Sequence, residues 1–214
     1  MRLVIGNKTY SSWSMRPWFA AKAAGIPFEE EVIWLRQPDT TERIRALSPN
    51  AKVPALIDGP VVVFESISIL EYLAERAPTL WPDGAVARAH ARSICAEMHA
   101  GFAALRTRCP MNIKRAPTRI ALADEVEADV ERIIASLTTC RARFGGGGAF
   151  LFGGFTNADA MYAPVVNRFH AYDIPAPPVM RAYMEAMMAT PMWQEWQRQA
   201  LAEPHVIGPI DAVS

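Results

Sequence analysis

Short apolar runs alternate with helical patterns over the first 77 residues. The apolar runs predict four strands, at residues 2–6, 28–35, 53–57 and 61–64. Three helices are predicted between and after them, at residues 14–24, 40–47 and 65–77. Asp58-Gly59-Pro60 separates the last two strands and indicates a hairpin. The predicted order is β-α-β-α-β-β-α, which is an α/β unit.

The pattern changes beyond residue 77, where only helical spacing is found. Five helices are predicted, at residues 86–109, 118–144, 158–169, 177–189 and 191–202. The segment 78–85 (PTLWPDGA) contains two prolines and a glycine, which is typical of a linker. We therefore expect an α/β domain at 1–77, a linker at 78–85 and an all-helical domain at 86–214.

A capping motif precedes the helix predicted at 158–169. Thr156 and Asp159 have the spacing of a capping box, in which each side chain bonds the backbone amide of the other residue. We interpret this pair as structural.

Composition and charge exclude several classes of protein. The chain has 214 residues, and its 22 Lys and Arg balance its 22 Asp and Glu, so no nucleic-acid partner is expected. The first apolar run is too short for a signal peptide, and no apolar window is long enough for a membrane span.

The cysteines and histidines show no metal-binding pattern. Cys95, Cys109 and Cys140 are scattered and form no C-x-x-C, which indicates reduced thiols and a cytoplasmic protein. The four histidines fit no ligand motif, so no metal is expected.

Three serines crowd the junction between the first strand and the first helix. Ser11, Ser12 and Ser14 lie within "TYSSWSMR". One serine is enough to cap a helix, so the others suggest a chemical role.

Two further local signals occur in the α/β unit. Val53-Pro54 begins a strand: a cis bond would leave the Val53 backbone free to pair with an extended peptide, whereas a trans bond would be an ordinary strand start. Glu65-Ser66 begins a helix, as a simple cap or as a site for a ligand carboxylate and ammonium.

In this order and spacing, the three signals resemble the cytosolic glutathione transferase family over nearly the whole chain. "SSWSMR" is similar to the zeta-class turn S-S-C-S-x-R, with Trp13 in the place of cysteine, and "KVPAL" and "ESISILEYL" match family patterns. The resemblance implies a thioredoxin-like βαβαββα domain followed by an all-α domain. It also implies a homodimer formed by residues 61–77 and the first long helix.

The resemblance further implies an enzyme that activates the thiol of glutathione for attack on small electrophiles. A hydroxyl aimed at the sulfur and the positive end of a helix both favour the thiolate. Ser11 is the first candidate for this hydroxyl and Ser12 the second, with Ser14 as a cap. Arg16 is expected to form a structural ion pair.

Other site residues follow from the same resemblance. Val53, with a cis Pro54, would bind the cysteinyl backbone of glutathione, and Glu65 and Ser66 would hold its γ-glutamyl end. The remaining implied glutathione contacts are Trp13, Gln37 and Lys52. The implied second-substrate contacts are His99, Phe102, Arg106, Met111, Asn112 and Arg168. Of these, Arg168 resembles a zeta-class arginine that meets an anionic substrate.

Two alternatives stay open, and the electrophile is not identified. One is an enzyme that uses glutathione as a cofactor: either an isomerase of the maleylacetoacetate type, against which Trp13 argues, or a reductive enzyme, against which the absence of cysteine from the serine turn argues. The other is a non-catalytic binding module of the same fold, against which the intact serines, "VPAL" and Glu65-Ser66 argue.

Overall fold

A four-stranded mixed sheet forms the centre of the first domain in the computed structural model, which describes residues 1–213. The strands are β1 (Arg2–Ile5), β2 (Glu29–Val32), β3 (Ala55–Asp58) and β4 (Val61–Phe64), and their order in the sheet is β2-β1-β3-β4. β1 pairs parallel with β2 and antiparallel with β3, and β3 and β4 form the predicted hairpin. β3 begins later than predicted because Pro54 has no amide to donate to the ladder. β2 is likewise shorter than predicted and ends at Val32.

Helices cover both faces of this sheet. They are α1 (Ser12–Ala23), α2 (Thr40–Arg45) and α3 (Ser66–Arg76). Successive side chains of a strand point to opposite faces, so Leu3 and Ile5 of β1 join the main core with α1 and α3. Val4, between them, joins a small cluster with Ile44 of α2.

The rest of the described chain is helical, as predicted. A short 3-10 turn, Pro78–Leu80, is followed by α4 (Ala85–Ala100), α5 (Ala103–Arg108), α6 (Asp124–Phe144), α7 (Asn157–Ala171), α8 (Pro178–Met188), α9 (Pro191–Ala202) and α10 (Gly208–Asp211). The predicted fold class is confirmed. Within residues 1–213, no helix has the length and hydrophobicity needed to cross a membrane.

The prediction of a single helix at 86–109 is wrong, because the helical conformation is interrupted between α4 and α5. Gly101 is extended, and a Cβ there would lie 2.9 Å from the Glu97 carbonyl oxygen. Phe102 follows in the left-handed region with φ 58°. This break turns α5 away from the axis of α4.

The helix predicted at 118–144 begins six residues late, at Asp124. Residues 118–123 are not helical; the Thr118 amide bonds the Ala171 carbonyl (3.1 Å) instead. The four-residue α10 was not predicted, because a helix this short has no periodic pattern to detect.

Helix α7 is buried along nearly its whole length and connects the two domains. The predicted capping box is confirmed: the Thr156 amide donates to Asp159 Oδ2 (2.8 Å), and both box components are present. Burial raises the pKa of Asp159 to about 6, against the opposing effect of its hydrogen bonds. In the next position, Asn157 Nδ2 donates to the Leu70 carbonyl of α3 (3.0 Å), which ties α7 to the first domain.

Candidate active site

One cavity of about 230 Å³ lies where the start of α1, the loop before β3, the start of α3 and the end of α4 meet. Its lining residues are Trp13, Asn50, Lys52, Val53, Pro54, Glu65, Ser66 and His99. Most of the implied glutathione contacts therefore converge here, although they come from three separate stretches of sequence. Gln37 does not line this cavity; its amide bonds Thr40 Oγ1 (2.8 Å) at the start of α2.

The wall before β3 offers a free peptide backbone. The Val53-Pro54 bond is cis, as the family resemblance implied. Within residues 1–213, neither the amide nor the carbonyl of Val53 has a backbone partner. This strand edge can therefore pair with an extended peptide ligand.

The start of α3 holds a hydroxyl that lacks a partner. Ser66 is 1% exposed, and its Oγ makes no hydrogen bond to any described residue. An unsatisfied buried hydroxyl is destabilising by about 1–3 kcal/mol. This geometry therefore indicates that a ligand supplies a hydrogen-bond acceptor or donor for the Ser66 hydroxyl. The helix amides around it favour an anion.

Glu65, at the N-cap position of α3, is held in a constrained conformation. Its φ is 69°, a region that costs a non-glycine residue about 1–3 kcal/mol. Its carboxylate accepts a hydrogen bond from Asn50 Nδ2 (3.0 Å) and lies 3.7 Å from His99 Nε2. Burial lowers the pKa of His99, and Arg16 acts in the same direction, so the ring is neutral at pH 7. Glu65 thus keeps a carboxylate available for a ligand cation.

The serine turn contains a chain of hydrogen bonds. Ser11 precedes α1, but its side chain does not cap the helix; its Oγ lies 2.7 Å from Ser14 Oγ. Ser14 Oγ accepts a hydrogen bond from the Gly6 amide (3.0 Å). The prediction that Ser14 is a cap is therefore wrong: its hydroxyl joins the end of β1 to α1.

This chain has a chemical consequence for Ser11. Because Ser14 accepts from Gly6, it can donate its own proton to Ser11, and the Ser11 proton is then free for a ligand. Ser12, the first residue of α1, has no side-chain hydrogen bond within the described chain and is also a possible donor. Both serines are nearly buried beside Trp13 and do not line the cavity themselves.

The expected ion pair of Arg16 is absent from residues 1–213. Arg16 is fully buried, its Nε donates to the Met161 carbonyl (3.1 Å), and its two terminal nitrogens have no described partner. Its guanidinium carbon lies 4.1 Å from the ring centroid of Trp13. The prediction was wrong because the sequence did not reveal that α1 is buried against α7, where Arg16 meets the Met161 carbonyl rather than a carboxylate.

Three arginines gather behind Trp13. The guanidinium carbon of Arg106 lies 5.2 Å from the ring centroid of Trp13, and Arg168 Nε donates to the Cys109 carbonyl (2.9 Å). Burial, followed by the charges of Arg168 and Arg106, lowers the pKa of Arg16 to about 9. Burial, followed by Arg106, lowers the pKa of Arg168 to about 10. In the described chain none of the three forms an ion pair, so the cluster favours an anion.

The other implied second-substrate residues do not line the cavity. Phe102 and Met111 are buried in the main core. Asn112 is also buried, and its Nδ2 donates to Asp211 Oδ1 (2.7 Å).

Asn50 is the lining residue that the sequence analysis missed, and its position between Pro49 and the "KVPAL" stretch was the available signal. No group of three potential metal ligands occurs in the part of the chain that is described.

Comparisons with known proteins identify the family of the chain. Profiles of the glutathione S-transferase N-terminal and C-terminal domains match residues 10–76 and 123–186. The chain belongs to the glutathione S-transferase family. A glutathione transferase homologue from Burkholderia, solved with bound glutathione, superposes with a TM-score of 0.73 at 24% identity, covering 94% of this chain and 98% of that one. This likeness establishes the fold.

Two curated relatives match over shorter stretches. A probable maleylacetoacetate isomerase of Caenorhabditis elegans is 34% identical over 85 residues, which is 39% of each chain. Glutathione S-transferase theta-3 of Mus musculus is 39% identical over 93 residues, which is 42% of this chain and 37% of the relative. The matched segments therefore span well under half of these relatives.

Proposed function

We propose that the protein is a glutathione transferase that activates the thiol of glutathione for attack on a small electrophile. The observation on which this proposal rests is that the buried, unpartnered hydroxyl of Ser66 lies in the same cavity as the free backbone of Val53. In this proposal Val53 pairs with the cysteinyl backbone, Ser66 and the α3 amides bind the γ-glutamyl carboxylate, and Glu65 binds its ammonium. Lys52 and Gln37 are proposed for the glycyl carboxylate.

The reaction needs little chemistry from the protein. A hydroxyl of the serine turn and the positive end of α1 stabilise the thiolate, which attacks the electrophilic carbon and forms the new carbon–sulfur bond. In a substitution the leaving group departs with the electron pair of the broken bond, and in an addition the π electrons shift to an atom that takes a proton from water. The thiol proton leaves to solvent. We propose Ser11 for the hydroxyl, with Ser12 as the alternative, and Trp13 as one wall of the cavity in which the sulfur meets the second substrate.

Calorimetry with reduced glutathione tests this proposal. Replacing Ser66 with alanine should weaken binding by about 1–2 kcal/mol, because a hydrogen bond to a charged group is lost. Ser68→Ala is the matched control, since Ser68 is exposed on the same helix, and it should leave the affinity unchanged. No heat of binding at millimolar glutathione would reject the enzyme proposal and favour a non-catalytic module.

The arginine cluster favours a second candidate, an isomerase that uses glutathione on an acidic substrate. Arg106 is half-buried, and its NH1 bonds the carbonyl of His99 (3.2 Å), whose ring lines the cavity. A substrate carboxylate near Trp13 would partner the unpaired guanidinium groups of Arg16 and its neighbours. The curated relative named as a probable maleylacetoacetate isomerase supports this candidate.

Kinetics with maleylacetoacetate and with a neutral electrophile separate the two candidates. For an acidic substrate, Arg106→Gln should raise KM about 10-fold or more, the effect of losing one charge-assisted bond. KM for the neutral electrophile should stay within about twofold, a change within the scatter of surface substitutions. Arg108→Gln, an exposed change on the same helix, is the control. Equal effects on both substrates would reject a carboxylate site at this cluster.

We also propose a homodimer. β4 is an edge strand, and its Val61, Val62 and Phe64 are 40%, 42% and 39% exposed, which gives residues 61–64 an apolar stripe. Such a stripe on an edge strand is typically covered by a partner. Sedimentation at micromolar concentration should give the mass of two chains, and Phe64→Glu should shift it to one. A monomeric wild-type protein would contradict the proposal.

The domain division at 1–77, 78–85 and 86–214 and a cytoplasmic location are kept as proposals. The sheet ends at Phe64 and α3 at Arg76, and α4 begins at Ala85, which supports the division. The three cysteines are free and buried, in keeping with a reducing compartment.

A further inference from the structure

The turn that precedes the serines is held by the end of the helical domain. The Lys8 amide donates to Glu203 Oε1 and the Thr9 amide to Glu203 Oε2 (2.9 Å). The Thr9 hydroxyl lies 2.7 Å from the same Oε2. One carboxylate, 8% exposed, thus satisfies three donors of two consecutive residues that lie almost 200 positions away in sequence.

The carbonyls of the same turn also find their partners in the helical domain. Trp196 Nε1 donates to the Lys8 carbonyl (2.9 Å), and the Ile113 amide donates to the Thr9 carbonyl (3.1 Å). Every backbone polar group of Lys8 and Thr9 is therefore bonded from outside the α/β domain. The first domain contributes the Asn7 carbonyl, which accepts from the Ser11 amide (2.8 Å), and Glu30 of β2, whose carboxylate pairs with the Lys8 ammonium group.

Tyr10 continues this pattern. Its hydroxyl donates to the carboxylate of Asp211 (3.0 Å) and accepts a hydrogen bond from the Ile207 amide (3.2 Å). Residues 203–211 therefore hold the three residues immediately before Ser11. The position of Ser11 relative to the cavity depends on the C-terminal segment as well as on β1 and α1.

We propose that Glu203 is a positioning residue for thiol activation: its carboxylate fixes the turn 8–10 so that the Ser11 hydroxyl meets the glutathione sulfur. The inference rests on the glutathione transferase activity proposed above. A carboxylate suits this place because it is an acceptor only, and all three groups facing it are donors. A displacement of about 1 Å at a reacting group can lower a rate about 100-fold, so a loosened turn should affect chemistry more than binding.

The amide variant tests this assignment in the full-length protein. Glu203→Gln replaces one acceptor oxygen by an NH₂ group, which faces the Lys8 or Thr9 donors and leaves one of them unsatisfied. Turnover with glutathione and a neutral electrophile should fall about 10-fold at pH 7, and the pKa of the bound thiol, read from thiolate absorbance, should rise by about one unit. KM for glutathione should change less than about twofold, because Val53 and Ser66 are untouched.

Glu195→Gln is the matched control. Glu195 lies on α9 and joins the domains through an ion pair with Lys22 (2.8 Å), but it does not contact the turn. This variant should keep the wild-type thiol pKa and turnover.

The possible results separate this inference from the proposed function. A wild-type protein that does not turn over glutathione rejects the proposed function itself. An active wild-type protein whose Glu203→Gln variant keeps its thiol pKa overturns the positioning role, even if the melting temperature falls. If Glu203→Gln does not fold, Thr9→Val keeps the two amide contacts and removes the hydroxyl, which faces both Glu203 Oε2 (2.7 Å) and the Ala200 carbonyl (3.0 Å). This variant should raise the thiol pKa by a smaller amount, and an unchanged pKa overturns the inference.

Discussion

Replacing Ser11 with alanine should lower turnover about 10- to 100-fold at neutral pH while leaving glutathione affinity nearly unchanged. A charge-assisted hydrogen bond to the thiolate is worth about 1.5–3 kcal/mol, or about one to two pKa units. Without this bond the thiol pKa rises, so the fraction of glutathione present as thiolate at pH 7 falls about 10- to 100-fold, and turnover falls with it. The loss should disappear at a pH above the raised pKa, because the thiol then ionises without help.

Titration of the thiolate absorbance in the glutathione complex measures this shift directly. Ser12→Ala should move the thiol pKa less than Ser11→Ala does. Ser14→Ala should give an intermediate shift, because the Ser14 hydroxyl bonds Ser11 (2.7 Å) and orients its proton. A shift in the Ser12 variant alone would assign the donor to Ser12. No shift in any variant would assign the thiolate's stability to the α1 amides or to Trp13.

The sequence predicted most of the fold because its signals are local. The alternation of apolar runs located the four strands, and the capping box at Thr156 located the start of α7. The break between α4 and α5 could not be read in the same way. It depends on Phe102 adopting φ 58° so that its ring enters the core, and this packing involves residues distant in sequence.

The same distinction between local signals and tertiary packing applies to the candidate site. Val53, Glu65 and Ser66 belong to short motifs, and they line one cavity as the resemblance implied. Arg16 was misassigned because its hydrogen-bond partner, the Met161 carbonyl, follows from the packing of α1 on α7. Ser14 was misassigned because the amide it bonds, that of Gly6, lies eight residues earlier, just after the end of β1. Motifs thus located residues that line the cavity, whereas tertiary packing decides what supports them.

Trp196→Ala should be the most destabilising of the substitutions considered, at about 3–5 kcal/mol. Trp196 is fully buried on α9 and lies edge-on to Trp18 of α1, with 5.1 Å between the ring centroids. It also packs against Phe19 at 6.1 Å, so the two domains share one core at this point. For a chain of this size, the loss corresponds to a fall in melting temperature of roughly 6 to 20 °C.

Thermal unfolding of three variants separates the contributions of Trp196. Leu201→Ala is the control, since Leu201 is 55% exposed near the end of the same helix and should change the free energy of unfolding by less than about 0.5 kcal/mol. Trp196→Phe keeps an aromatic ring against Trp18 but leaves the Lys8 carbonyl without its donor, so it should lose less stability than the alanine variant. Because that carbonyl belongs to the turn before Ser11, the phenylalanine variant should still lose turnover. A loss below about 1 kcal/mol for Trp196→Ala would contradict a shared core. The indole leaves a large cavity when it is removed, and the surrounding residues could close that cavity only if the two domains were not packed at this helix.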